Sequence, residues 1–203
     1  VTSVFWIILA IDLILGPLLT FAVFNSNKKE LKIDLTVIVA MQLCAFAYGL
    51  YTVAERRPVF KVFVVDDIEL VRKTDLKYPS DINIDAAYDS HIFSKPQWIS
   101  AVYSSNPKIA EQQKQEEMFG NSLASRPETY QLIEARSQQI LAKLKPIHQL
   151  NKFNSQAIVK QQLLAYQDQD IAGYLPVKGL EDDLTALFVH SVYPITIVDL
   201  RPW

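Results

Sequence analysis

Val4–Phe24 reads VFWIILAIDLILGPLLTFAVF, 21 residues in which Asp12 is the only ionisable group, and Leu35–Ala54 reads LTVIVAMQLCAFAYGLYTVA, 20 residues with no charge. About 20 apolar residues in a helix cross the hydrocarbon core of a bilayer, so each stretch has the length and composition of a membrane span. Helices packed inside soluble proteins normally keep a polar face, and neither stretch has one. The polar link Asn25–Asp34 is short, which predicts an antiparallel hairpin with spans at about 4–24 and 35–54. The expected organisation is therefore a membrane hairpin over residues 1–54 followed by a soluble domain over 55–203. A cleaved signal peptide would show a basic start, a shorter apolar core and a small-residue cleavage site, a poor match to two full apolar segments in succession. The chain opens on Val1, which predicts a native start, and another apolar segment, further upstream.

Polar and small residues inside these segments carry the first functional expectations. An aspartate near a helix centre costs roughly 2.5–3.5 kcal/mol on insertion scales, so Asp12 is expected to face protein or water. Pro17 cannot donate to the carbonyl of Leu13, which predicts a kink and an acceptor in need of a partner. If the hairpin turns near residues 29 and 30, Asp12 lies at the depth of Ala47 and Tyr48, and Pro17 at that of Gln42. Tyr48 and Gln42 are then the expected partners. Gly16 adds a small residue beside Pro17, and Ala45 with Gly49 forms a small-x-x-x-small surface where helices approach closely. These groups either hold the bundle together or form a groove for another protein's helix. Lys28, Lys29 and Lys32 lie on one side of the second span, with Arg56, Arg57, Lys61, Arg72 and Lys73 on the other, so the positive-inside rule does not orient the hairpin.

Composition narrows the chemistry. The 203 residues are 50% hydrophobic with mean hydropathy +0.09 while 21% are charged, a mixture that concentrates apolar residues in one region. Five glycines, at 16, 49, 120, 173 and 179, cannot spell a dinucleotide or phosphate loop. The lone Cys44 provides no disulfide and no thiolate cluster, and His91, His148 and His190 are too far apart for a helical metal pair. No cofactor is expected. A net charge of −2 lacks the basic excess that phosphate backbones require, so no nucleic acid is expected as a partner.

Beyond residue 54 the chain carries 17 Lys and Arg against 19 Asp and Glu, the balance of a solvated domain. PVFKVFVVDDIELVR, 58–72, predicts two strands joined by a tight acidic turn at Asp66-Asp67. Thr74–Ser105 reads as irregular structure. Asn106-Pro107 predicts a short polar helix ended by Gly120. Ser125 and Glu128 have capping-box spacing ahead of Tyr130, Ile133, Ile140, Leu144 and Ile147, which predicts a second helix, and a third is expected from Asn154 or Ser155 to about Gln169. GYLPV, LTALFVH and YPITIVDL return to strand character. The expected fold class is α+β: the membrane helical hairpin, then an antiparallel sheet closed by both ends of the soluble domain with about three inserted helices.

Catalytic signals are weak. Asp66/Asp67, Asp81/Asp85 and Glu181/Asp182/Asp183 sit where turns are expected, and aspartate favours turns by bonding its own backbone. His91 lies among Asp89, Ser90 and Ser94, yet no G-x-S-x-G elbow accompanies it. No enzyme is expected.

Asp12–Arg72, DLILGPLLTFAVFNSNKKELKIDLTVIVAMQLCAFAYGLYTVAERRPVFKVFVVDDIELVR, resembles the type IV pilin accessory proteins of the TfpX/TfpZ kind. The likeness rests on Gly16-Pro17-Leu18-Leu19-Thr20, Lys28-Lys29, Leu31 with Asp34-Leu35, Gln42, Ala47-Tyr48-Gly49-Leu50-Tyr51 and Arg57-Pro58-Val59. Arg126-Pro127 with Tyr130, Asp183-Leu184-Thr185-Ala186-Leu187 and Leu200-Arg201-Pro202-Trp203 are similar too. The resemblance implies a Gram-negative inner-membrane protein that binds a cognate type IV pilin and assists its stability or assembly, without catalysis. It implies one further membrane helix before Val1, which puts the Lys28–Lys32 link in the cytoplasm and the C-terminal domain in the periplasm. The implied partners are the pilin, the lipid bilayer and other pilus assembly components. Asp12, Gly16 and Pro17 would cradle the pilin's apolar helix, and an exposed sheet edge would pair with its globular part. The rival classes are a membrane-anchored periplasmic hydrolase or transferase using His91, and a sensor, for which no output segment is visible.

Overall fold

The computed structural model describes residues 6, 7, 10, 14, 17, 18, 21, 31–78, 84–91, 94–179 and 181–203. The chain divides into two compact units, 1–57 and 58–203.

In the first unit, helix α1 (Leu31–Glu55) runs 25 residues without a proline or an internal charge beyond its first turn. Among the described residues it supplies the one helix long and apolar enough to cross a bilayer, Leu35–Glu55, with hydropathy 1.8. At 1.5 Å per residue its 21 residues reach about 31 Å, the thickness of a hydrocarbon core. Trp6, Ile7, Ala10, Ile14, Pro17, Leu18 and Phe21 are also helical. Asp12, Gly16, Lys28 and Lys29 lie outside the described residues, and so does the expected pairing of Asp12 with Tyr48.

The second unit is α+β. Its sheet has seven strands in the order β4-β3-β1-β2-β5-β6-β7. Strands β1 (Pro58–Phe63) and β2 (Ile68–Arg72) form the expected hairpin through the Asp66-Asp67 turn, with a register irregularity between Pro58 and Phe60. Strand β3 (Gln97–Ala101) pairs parallel with β1, and β4 (Tyr130–Leu132) pairs antiparallel with β3. Strands β5 (Gly173–Lys178), β6 (Leu184–Phe188) and β7 (Thr196–Val198) form an antiparallel meander. β2 and β5 run parallel, so the sheet is mixed where an antiparallel one was expected.

Helices α2 (Pro107–Met118), α3 (Ser137–Ala142) and α4 (Gln156–Leu163) are inserted between strands. Asn106 and Ser155 cap α2 and α4, their side chains accepting from the N–H groups of Lys108 and Ile158. Gly120, at φ 85°, closes α2: its N–H reaches the Glu117 carbonyl and that of Asn121 the Glu116 carbonyl, a Schellman ending that needs the left-handed backbone glycine tolerates. Gly173 lets β5 approach the backbone of Lys145, since a Cβ there would sit 2.7 Å from the Lys145 carbonyl oxygen.

Two expectations need correction. The stretch 74–105 contains β3. It was masked by irregular composition, but Ile99 and Ala101 are buried and belong to the core. The helix expected after Ser125 is replaced by a 3-10 turn at Pro127–Thr129, β4, a second 3-10 turn at Ile133–Arg136 and then the short α3. Tyr130 packs in one apolar cluster with Phe60 and Val62, whereas Ile133 and Ile140 pack in another with Phe63 and Leu175. One helical face cannot serve two separated clusters, so the chain crosses between them in short pieces.

Strand β5 is buried at five consecutive positions because its side chains alternate between two covered faces. Leu175 and Val177 join the cluster of α3, and Tyr174 joins Leu150, Val159, Val198 and Leu200 on the other side. Among the described residues one ladder joins the two halves of the sheet, β2–β5, which pairs Ile68 with Val177 and Glu69 with Lys178. Lys178 clamps this seam: its Nζ lies 2.8 Å from Asp67 and 3.0 Å from Glu69, and the Ser122 hydroxyl donates to Glu69 at 2.6 Å. Burial works to lower the Lys178 pKa, but the hydrogen bonds it donates to both carboxylates outweigh it and the net shift is upward. Burial raises the Asp67 pKa more than Lys178 lowers it, as expected of the more deeply enclosed partner.

Removing the ammonium strands two neighbouring carboxylates. Lys178→Met should cost about 2 kcal/mol at pH 7, less than a fully buried pair because Lys178 is half exposed. The deficit should shrink towards pH 4 as Asp67, its pKa already raised, takes up a proton. Urea titration of the detergent-solubilised chain, followed by tryptophan fluorescence, measures both; a loss independent of pH would refute the electrostatic account.

Candidate functional site

Helix α1 offers the first candidate surface. Leu35, Ile38, Gln42, Gly49 and Thr52 are half-buried and recur at helical spacing, so one stripe is partly covered. Val37, Val39, Met41, Leu43, Tyr48 and Tyr51 face outward, with Tyr48 at 73% exposure. Ala45 is exposed and Gly49 half-buried one turn on, on the same side as Gln42. The Gln42 Nε2 is buried and bonded to nothing described, although it was expected to serve the carbonyl freed by Pro17, a group outside the described residues. Lys32 is exposed in the first turn, its carbonyl accepting from the Thr36 hydroxyl at 2.8 Å. Leu35, Thr36, Val39, Ala40 and Leu43 line a shallow apolar groove of about 380 Å³. Leaving such a surface in water is costly, at about 25 cal/mol per Å² of apolar area.

A second surface lies at one end of the sheet and was not legible in the sequence. The chain leaving β3 (Val102–Ser105), helix α2, the turn at 126–129 and edge strand β4 enclose a cleft of about 630 Å³. Its walls are pinned from several sides. The Val102 N–H extends the β3–β4 pairing to the Thr129 carbonyl at 3.1 Å. Gln113, buried in α2, accepts the Ser104 N–H at 2.8 Å. The Arg126 guanidinium pairs with Glu116 of α2 and lies 3.9 Å from Glu128. Tyr130 donates its hydroxyl to the Ala124 carbonyl and sets its ring edge against Phe60 at 5.3 Å. Tyr103 donates to Glu117, and Lys114 lies 5.6 Å over its ring. Two polar atoms in this wall, Arg126 Nε and Glu128 Oε2, are buried and have no hydrogen-bond partner among the described residues.

Three members of the acidic pairs serve the fold. Asp67 belongs to the seam, Asp85 caps the turn at 86–88 through the Ala87 N–H, and Asp183 accepts from Gly179 N–H and the Trp203 indole. Asp81 lies outside the described residues. His91 is exposed and meets Ser94 through its backbone N–H, while His190 lies at the surface 3.3 Å from Asp170.

Burial, and then the bond to Glu117, push the Tyr103 pKa up to about 12. A phenol whose folded pKa exceeds its unfolded value near 10 stabilises the fold below pH 10 and loses that contribution as pH rises through 12. In an ultraviolet titration of the solubilised chain, Glu117→Gln should bring one tyrosine down by several tenths of a pH unit or more; an unchanged curve would mean that Glu117 is not its partner.

Comparison with known proteins adds an independent observation. Over 76 residues the chain is 44% identical to the fimbrial assembly protein of serogroups C1 and C2 of Dichelobacter nodosus, a stretch covering 36% of this chain and 58% of that one. The fimbrial assembly proteins of serogroups E1 and I of the same bacterium are each 43% identical over 76 residues, 30% of their length. The chain therefore matches less than two thirds of the length of these curated relatives. No protein-family profile matches the chain, and no solved structure does. Over about a third of its length, this chain is similar to proteins named for fimbrial assembly.

Proposed function

We propose that the chain is a membrane-tethered accessory factor that binds a cognate type IV pilin and assists its stability or its assembly into pili, without turning over a substrate. The observation that carries this reading is the 44% identity over 76 residues to a fimbrial assembly protein, in a chain that also holds a membrane-length apolar helix. The motif resemblance to the TfpX/TfpZ kind implies a pilin as client and the inner membrane as location, with residues 55–203 in the periplasm. A subunit that carries an apolar helix needs a partner with an apolar surface at the same depth, and α1 offers one. The small residues Ala45 and Gly49 allow close backbone approach, which drives helix association in lipid where hydrophobicity cannot. Asp12, Gly16 and Pro17 would serve the same contact from the first segment. Lipid and other pilus assembly components complete the set of partners.

The intact chain, purified in mild detergent from cells with and without the pilin, should carry the pilin with it, and deleting its gene should lower surface piliation at least fivefold. Absence of pilin from the eluate together with normal piliation would overturn the proposal. His91→Ala should leave piliation and protein level within twofold of the parent. Lost piliation at normal protein level would instead favour the hydrolase or transferase reading.

A further inference from the structure

Three neighbouring strands carry one row of side chains across the first half of β1. Lys61 of β1 pairs in register with Trp98 of β3 on one side and with Leu70 of β2 on the other. Lys61 alternates with Phe60 and Val62, so it stands on the face of Phe63, which Trp98 and Leu70 share. The next row along that face, Ser100, Phe63 and Ile68, is buried, whereas Trp98, Lys61 and Leu70 are half-buried. The Lys61 Nζ lies 4.6 Å from the centre of the Trp98 ring. Arg72 falls on the same face by alternation with Leu70, and the Arg136 guanidinium lies 5.9 Å from the centre of the Phe63 ring. Trp98 and Leu70 thus form an apolar shelf among three cations, and exposed Lys73 follows Arg72.

The cations of this shelf outnumber the acids beside it. Asp75 is held by Arg72, and Glu134 accepts from the Tyr193 hydroxyl. Lys61, Lys73 and Arg136 make no ion pair among the described residues. Asp67 and Glu69 are bound by Lys178, and Glu181 and Asp182 stand exposed on the β5–β6 loop of the other half of the sheet. Burial lowers the Lys61 pKa, the mark of an ammonium that has lost water without gaining a carboxylate. Chain connectivity selects the partner. Glu55 closes the membrane-length helix, and Pro58 opens β1 in register with Arg72. Three extended residues reach about 11 Å at most, so the shelf starts within that length of chain from the span at any angle between the two units. Arg56 and Arg57 fill the interval. Tryptophan and lysine favour the membrane–water boundary, where the indole sits among headgroups and the lysine stem is covered while its ammonium stays wet. We infer that Trp98, Leu70, Lys61 and Arg72, with Lys73 beside them, rest on anionic lipid headgroups of the membrane that α1 crosses, and so hold the soluble unit against the bilayer. The presence of that membrane rests on the function proposed above; the choice of docking face does not.

The test uses the full chain with Trp6→Phe and Trp203→Phe, which leaves Trp98 as its one tryptophan. It is reconstituted in nanodiscs of phosphatidylcholine, with or without phosphatidylglycerol, whose acyl chains are brominated next to the headgroup. Bromine should quench at least half of the Trp98 emission in the discs with phosphatidylglycerol, and at least twofold less in phosphatidylcholine alone. Lys61→Gln combined with Lys73→Gln should cut the quenching in anionic discs at least twofold, and an unchanged urea midpoint shows that this is not unfolding. No quenching in anionic discs, for a chain that the discs retain and that still carries the pilin, would overturn the inference and leave the proposed function standing. Equal quenching in both lipids, indifferent to the substitutions, would overturn it as well, since the headgroup charge would then play no part. Relief of quenching on adding pilin would show the shelf to be a pilin surface and would likewise overturn it. A chain that fails to enter the discs would overturn both the inference and the membrane-tethered function.

Discussion

The soluble unit depends on a two-residue seam. Four strands built from residues 58–132 and three built from 173–198 share a single short parallel ladder between β2 and β5. Parallel pairing is slightly weaker per residue than antiparallel pairing, and two rungs make little ladder. The seam holds because Lys178 draws Asp67 and Glu69 together and because Ile68 and Val177, which form one rung, are both buried in the cluster beneath it. Ser122 ties the chain near α2 to the same joint through Glu69. A cation shared between two enclosed carboxylates carries a geometric demand that purely apolar packing would not impose.

A different constraint governs the first unit. A helix satisfies its backbone hydrogen bonds internally, which is why α1 can present Val37, Val39, Leu43 and Tyr51 outward without exposing amide groups to an apolar medium. Its partly covered stripe at Leu35, Ile38, Gln42, Gly49 and Thr52 shows that the helix is not uniform around its circumference. The stripe follows the heptad-like repeat of packed helices, although overall hydrophobicity is nearly equal on every side.

The cleft illustrates how a surface arises that no local pattern announces. Its walls come from three separate stretches between Val102 and Gln131, and the ion pair of Arg126 with Glu116 joins residues that the sequence reads as a polar helix face and a turn. The same junction explains the misread segment after Ser125. Its apolar spacing fits a helix, but Tyr130 and Ile133 are claimed by different clusters, and tertiary packing overrode the periodicity.

The sequence by itself determined the apolar segments, the β1–β2 hairpin, the capped and glycine-closed α2, the start of α4 at Ser155 and the three closing strands. Each of these is written in neighbouring residues: period, cap, turn acid or left-handed glycine. Tertiary packing alone settled that β3 pairs parallel to β1, that β2 meets β5, that 125–147 breaks into short pieces, and that a cleft forms beside β4. Those outcomes depend on which distant apolar clusters are filled and which buried charges find partners, and such long-range terms leave no trace in local spacing.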